Sequence, residues 1–213
     1  MKLESLIIRN KEVFEFWNTK LNQMFFSDFS LPHQVFKKEY RHYMFGEFDF
    51  LMYDVGWEKI RRIAQITNDS FVIMGVIDPH PQKYYYKEFG YYNWLKLPCN
   101  LKGDQYIDVL EEYPKDSLAD SIMNNSSIIV WFPPSKEWIV VGDRGYGISI
   151  LAIKDDSELK DKLTSFSAWR TLNDDILSWI SLNFDDELLY KEFIENILKN
   201  YSNNGSVAKF EKT

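Results

Sequence analysis

The side chains able to do covalent or metal chemistry are few and far apart. The histidines are His33, His42 and His80, and the single cysteine is Cys99. A metal site needs three or four converging ligands, and no HxxxH, HxH or CxxC spacing offers them. His80 lies in Asp78-Pro79-His80-Pro81, where two prolines stiffen a loop. Cys99, between Pro98 and Asn100, reads as a small half-buried residue, because a nucleophilic thiol needs a neighbouring base that no local motif supplies. Gly142-Asp143-Arg144-Gly145-Tyr146-Gly147 is glycine-rich, but it has neither the GxGxxG nor the GxxxxGK[ST] spacing. It also falls between two expected strands, so no helix N-terminus is there to hold a phosphate. It reads as a hairpin turn in which glycines supply positive φ and Asp143 bonds the turn backbone. A Ser–His–Asp triad is set by geometry rather than by sequence order, but no GxSxG elbow marks one. No catalytic residue, metal or cofactor is therefore assigned.

Charge is the stronger signal. The 213 residues carry 25 basic and 32 acidic side chains, a net of −7, which disfavours a general contact with the nucleic-acid backbone. Residues 1–106 are close to neutral, with 14 bases and 13 acids, whereas 155–195 alone hold 11 acids and four bases. Asp155, Asp156, Glu158, Asp174, Asp175, Asp185, Asp186 and Glu187 belong to this stretch. Such a run is either a solvated helical face or a docking surface for a basic protein partner, since clustered acids steer association. Lys37, Lys38, Arg41, Lys59, Arg61 and Arg62 form a smaller basic group. Glu39, Glu47 and Glu58 balance it, and it reads as a solvated face.

The elements that must position these groups follow from periodicity. At 45% hydrophobic and 17% aromatic, the chain can fill a core. Val13, Phe16, Trp17, Leu21 and Met24 predict a helix over 11–25, and Trp57, Ile60, Ile63 and Ala64 another over 57–66. Alternation of Phe48, Phe50 and Met52 with Asp49, Leu51 and Tyr53 predicts a strand. Residues 71–77 read as a buried strand, 106–113 as a short helix or strand, and 116–123 as a turn or two of helix. The apolar runs 127–132, 137–141 and 148–153, joined by short turns, predict a consecutive antiparallel meander. Residues 174–180 and 185–201 predict helices, the latter with Leu189, Phe193, Ile194, Ile197, Leu198 and Tyr201 inward. A frayed tail is expected from about 203. The expectation is one α+β domain with a mainly antiparallel central sheet flanked by helices and a helical C-terminal third.

Alternation puts Trp138 and Val140 on one face of their strand and Ile139 and Val141 on the other, which predicts a central strand covered on both sides. Arg144 either pins its turn by pairing with a carboxylate or is presented to a partner; pinning is expected. Tyr84-Tyr85-Tyr86 and Tyr91-Tyr92, in the dense segment up to Trp94, either pack with hydroxyls at the surface or line a sugar or peptide groove. The longest apolar run falls far short of the ~20 residues of a membrane span. The apolar stretch near the N-terminus is too short for a signal-peptide core, and a lone cysteine forms no internal disulfide. A cytoplasmic home without membrane insertion is expected.

Two stretches carry a family resemblance: Ile77-Asp78-Pro79 with Tyr84-Tyr85-Tyr86-Lys87-Glu88-Phe89-Gly90, and Ser135-Lys136-Glu137-Trp138-Ile139-Val140-Val141-Gly142-Asp143-Arg144. A strand of the form W-x-V-x-G-D-R after a P-S-K turn is similar to small cytoplasmic immunity proteins of bacterial polymorphic toxin systems. The likeness covers about residues 70–155. It implies an acidic α+β domain that binds and blocks a cognate toxin by stoichiometric occlusion. It brings no partner-contact residue with it, because the binding surfaces of such proteins vary. The alternative expectation is an enzyme acting on a small polar or sugar-like ligand in an aromatic-lined cleft with scattered carboxylates.

Overall fold

The chain is built on one six-stranded sheet in the order β1-β6-β5-β4-β2-β3, with every neighbouring pair antiparallel. The strands are β1 (Tyr40–Glu47), β2 (Phe71–Asp78), β3 (Trp94–Pro98), β4 (Ile128–Phe132), β5 (Trp138–Asp143) and β6 (Ile148–Lys154). The computed structural model describes residues 3–165 and 169–202, so the tail expected to fray lies outside the described residues. The helices are α1 (Lys11–Asn22), the short α2 (Phe48–Leu51), α3 (Asp54–Ile66), α4 (Lys87–Phe89), α5 (Gly103–Glu111), α6 (Asp174–Ser181) and α7 (Glu187–Tyr201).

Two hydrophobic cores result, one on each face of the sheet. Helices α3 and α5 cover one face through Trp57, Ile60, Ile63, Tyr106 and Val109. Helices α1, α6 and α7 cover the other through Phe14, Leu21, Ile176, Ile180, Phe193 and Ile197. A sheet covered on both faces needs strands apolar on both sides. That is why β4, β5 and β6 read as continuous Ile/Val runs, and why β5 is buried at every position. Trp138 and Val140 enter the first core, while Ile139 and Val141 enter the second. The expected meander is present, with Val130 opposite Val141 and Val140 opposite Leu151.

Three expectations are corrected. The strand predicted through 48–53 stops at Glu47 and turns into α2. Phe48, Leu51 and Met52 are the buried residues there, a spacing of three and one that suits one helical turn and its cap, and Phe50 is only half-buried. Helix α1 ends at Asn22, not near 25, and is rotated from its predicted face: Val13 and Phe16 are 43% and 53% exposed, and Phe14 is buried instead. The cause is aromatic contact, because Phe14 stacks on Tyr92 at 3.9 Å and meets Trp94 edge-on at 5.0 Å. Leu189 was expected inward, but α7 starts two residues later than predicted and leaves it 59% exposed. Residues 116–123 hold one 3-10 turn, Leu118–Asp120, within the turn or two expected there.

Trp138 is fully buried, and its indole N–H donates to Thr67 Oγ1 at 3.3 Å. Trp138→Ala therefore lowers stability by about 3–5 kcal/mol. Urea denaturation checks this: a loss under 1 kcal/mol contradicts the placement of Trp138 in the core beneath α3.

Candidate functional site

The acidic stretch is contiguous in sequence but is divided in space. Asp155 and Asp156 follow the last residue of β6 directly. Asp185, Asp186 and Glu187 lie beside the turn that precedes β6, because Phe184 stacks on Tyr146 at 5.7 Å and Asn183 Nδ2 donates to the Tyr146 carbonyl at 3.0 Å. The seven residues of β6 separate the two groups by about 20 Å.

The first group is largely answered by bases. Asp155 accepts from the His42 ring at 3.0 Å, Asp156 pairs with Lys154 at 3.1 Å, and Lys160 Nζ donates to the Asp155 carbonyl at 2.7 Å. These acids share an open cavity of about 520 Å³ with Lys38, Glu39 and Arg41. Glu158 lines a neighbouring cavity of about 380 Å³ with Glu137, Asp156 and Lys162. The mixture of signs makes this end a solvated ionic surface.

The second group and the pair Asp174 and Asp175 sit at two helix starts, where negative charge meets the positive end of the helix dipole. Asn173 caps α6 by accepting the Ile176 N–H at 3.0 Å, with Asp174 and Asp175 in its first turn. Asp175 faces Arg170 at 4.0 Å. Asp186 caps α7: its Oδ1 accepts the N–H groups of Leu188 at 2.7 Å and Leu189 at 3.2 Å. Lys191 bonds Glu187 at 2.7 Å and holds its carboxyl below the usual carboxylate range. Part of the acidity thus has a local cause in helix capping.

Capping does not account for the leucines between these acids. Leu182, Leu188 and Leu189 are 83%, 76% and 59% exposed at the corner joining α6 to α7. Asp185, Asp186 and Glu187 fall between Leu182 and Leu188 in the sequence, so exposed leucines and carboxylates alternate along the segment that joins the two helices. Tyr190 fixes the helix pair by donating its hydroxyl to the Leu177 carbonyl at 3.0 Å. Beside α6, a cavity of about 240 Å³ opens against β1, lined by Phe45, Gly46, Glu47, Phe50, Arg170, Asp175, Ile176 and Trp179. Sequence reasoning found Asp175 and the corner acids but missed Leu182, Trp179, Arg170 and Glu47. Leu182 had a signal: it falls outside the inward set Ile176, Leu177 and Ile180.

The hairpin residues are structural. Asp143 Oδ1 accepts the Tyr146 N–H at 3.3 Å, as expected of the turn, and burial pushes its carboxyl pKa up. Of the three turn glycines only Gly147 has positive φ, at 65°. Gly142 instead serves close approach, since a Cβ there would lie 2.9 Å from the Phe48 ring and 3.2 Å from Trp131. Arg144 does pin, but through carbonyls rather than a carboxylate. Its Nε donates to Ser126 O at 2.7 Å, and its Nη2 donates to Met123 O at 2.9 Å and to Ser126 Oγ at 3.0 Å. The guanidinium also lies 4.8 Å from the Phe48 ring centroid.

The tyrosine-rich segment is mostly packed. Tyr86 stacks on Tyr92, Trp94 donates to Val76 O at 3.0 Å, and Tyr84 donates to Asp120 Oδ1 at 2.6 Å. The cavity beside Tyr91 and Asn93 is only about 40 Å³, room for water rather than a sugar. Cys99 donates to the Asp69 carbonyl at 3.3 Å, and burial keeps it a thiol by pushing its pKa up. Among the described residues, no group of three or more His, Cys, Asp and Glu is placed to hold a metal. Among them, too, no helix is long and apolar enough to cross a membrane. No family model, curated protein or solved structure matches the chain.

Three hydrogen bonds from one half-buried cation make Arg144 the tie between the β5–β6 turn and residues 123–126. Arg144→Ala lowers stability by about 1–3 kcal/mol, and Arg144→Lys recovers only part, because an ammonium lacks the planar fork. Thermal melting of the two variants checks this; unchanged melting in Arg144→Ala contradicts the tie.

Proposed function

We propose that this chain is an immunity-type protein that neutralises a basic toxin domain by stoichiometric occlusion, docking it on the corner between α6 and α7. The observation that carries the reading is the exposed trio Leu182, Leu188 and Leu189 set among Asp185, Asp186 and Glu187. Exposed apolar area next to like charges marks a protein-binding surface. An apolar centre contributes affinity once desolvated, and an acidic rim speeds encounter with a basic partner and selects it. The resemblance of Trp138–Arg144 to immunity proteins agrees with this reading. A toxin acting on an anionic substrate has a basic cleft, and an acidic surface competes for it.

The test is binding of the purified chain to any basic toxin domain encoded by a neighbouring gene. Asp185→Lys and Leu188→Asp lie on exposed positions, so each leaves the melting temperature close to the parent while weakening the complex by about tenfold or more. Association also slows as salt rises. Unchanged affinity in both variants, or no complex at any salt concentration, defeats the proposal.

A further inference from the structure

The geometry points to a socket for an arginine side chain of the partner in the 240 Å³ cavity between β1 and α6. This inference rests on the docking reading above and names the side chain that anchors it. The floor of the cavity is apolar, from buried Phe45 and Ile176, and half-buried Phe50 and Trp179 also line it. Its charged groups are Glu47, Asp175 and Arg170, two carboxylates against one guanidinium. Arg170 sits 4.0 Å from Asp175, beyond a good hydrogen bond, so the carboxylate keeps acceptor capacity.

An aromatic and aliphatic lining with excess negative charge suits a side chain with an apolar stem and a planar cation. A guanidinium stacks on aromatic rings and forks onto carboxylates, whereas an ammonium offers only a compact, strongly hydrated charge. The two carboxylates disfavour an anion. The volume is below the roughly 300 Å³ at which small-molecule pockets begin, which suits one inserted side chain better than a free ligand.

Two of the cavity's lining residues share a helix stripe with the corner. Asp175, Trp179 and Leu182 stand at i, i+4 and i+7, along one stripe of α6 and its cap. A partner segment lying on the leucines can therefore seat an arginine two helical turns away. Arginine is, with Trp and Tyr, one of the residues enriched at interface hot spots.

The probe is N-acetyl-arginine amide, titrated while the Trp179 indole N–H resonance is followed by NMR. That resonance is assigned by its loss in Trp179→Phe. A saturable shift is expected with a dissociation constant of about 1 mM. It should be absent with N-acetyl-norleucine amide and weakened about tenfold in the double variant Glu47→Gln/Asp175→Asn. The double variant should weaken the toxin complex as well. An equal response to the norleucine compound, or no saturable shift, overturns the socket. If the corner variants abolish the toxin complex while the double variant leaves it unchanged, the socket fails and the docking reading stands. If the arginine compound binds but the toxin complex ignores both sets of changes, the socket serves a free guanidinium compound and the inference is overturned.

Discussion

The fold depends on burying both faces of β5. Trp138 and Val140 point into one core, Ile139 and Val141 into the other, so this strand ties two layers of helices to one sheet. Such a strand has a weakness. In a half-exposed strand, a slip of one residue turns apolar side chains to water and is rejected. Here both faces are apolar, so polarity alone sets no register. Shape and turns do so instead. Gly142 leaves room for the Phe48 ring and for Trp131, which no other residue at that position would allow without displacement. The short turn after Asp143 is held by the Asp143 carboxyl and by Arg144 reaching back to the carbonyls of Met123 and Ser126. The glycine, aspartate and arginine of this hairpin are therefore a registration device, with no need of a ligand to explain them.

A sheet covered on both faces has little surface of its own to offer. Its outer strands are engaged as well: Phe45 of β1 exchanges hydrogen bonds with Arg170, and Leu95 of β3 bridges to Ile7. Exposed surface is left to the helix ends and to the cavities between helix and sheet. The acidic excess of the chain goes to two such places, and the local environment separates them. At the far end of β6 the Asp155 and Asp156 carboxylates are met by His42 and Lys154, and Lys160 bonds the Asp155 backbone carbonyl. At the α6–α7 corner they border exposed leucines and the cavity under Trp179. The second place has the composition of a binding surface, and the first has that of a solvated one.

Much of the scaffold was legible in the sequence because apolar periodicity is a local signal. The meander from β4 to β6, the core face of α3 and the two-sided burial of β5 all follow from spacing. The failures were cases where another element chose between two locally acceptable patterns. Val13 and Phe16 fit a helical stripe as well as Phe14 does, and only Tyr92 and Trp94 across the core decide in favour of Phe14. Residues 48–52 alternate like a strand, yet their buried members fit a helical turn once the chain meets Gly147, whose carbonyl accepts the Phe48 N–H at 3.0 Å. The site was legible only as charge. Its acids were visible in composition, but their division by β6 and their partnership with Leu182 and Trp179 depend on tertiary placement.

The central claim is that the α6–α7 corner, rather than the acidic surface at the far end of β6, is the docking face. Hydrogen–deuterium exchange of the chain alone and mixed with a basic toxin domain of the kind proposed as its partner measures this directly. The account predicts new protection over residues 175–190 and at Glu47 and Phe50, with residues 154–160 exchanging as in the free chain. Protection confined to 154–160 and Lys38–Arg41, with the corner unchanged, contradicts it.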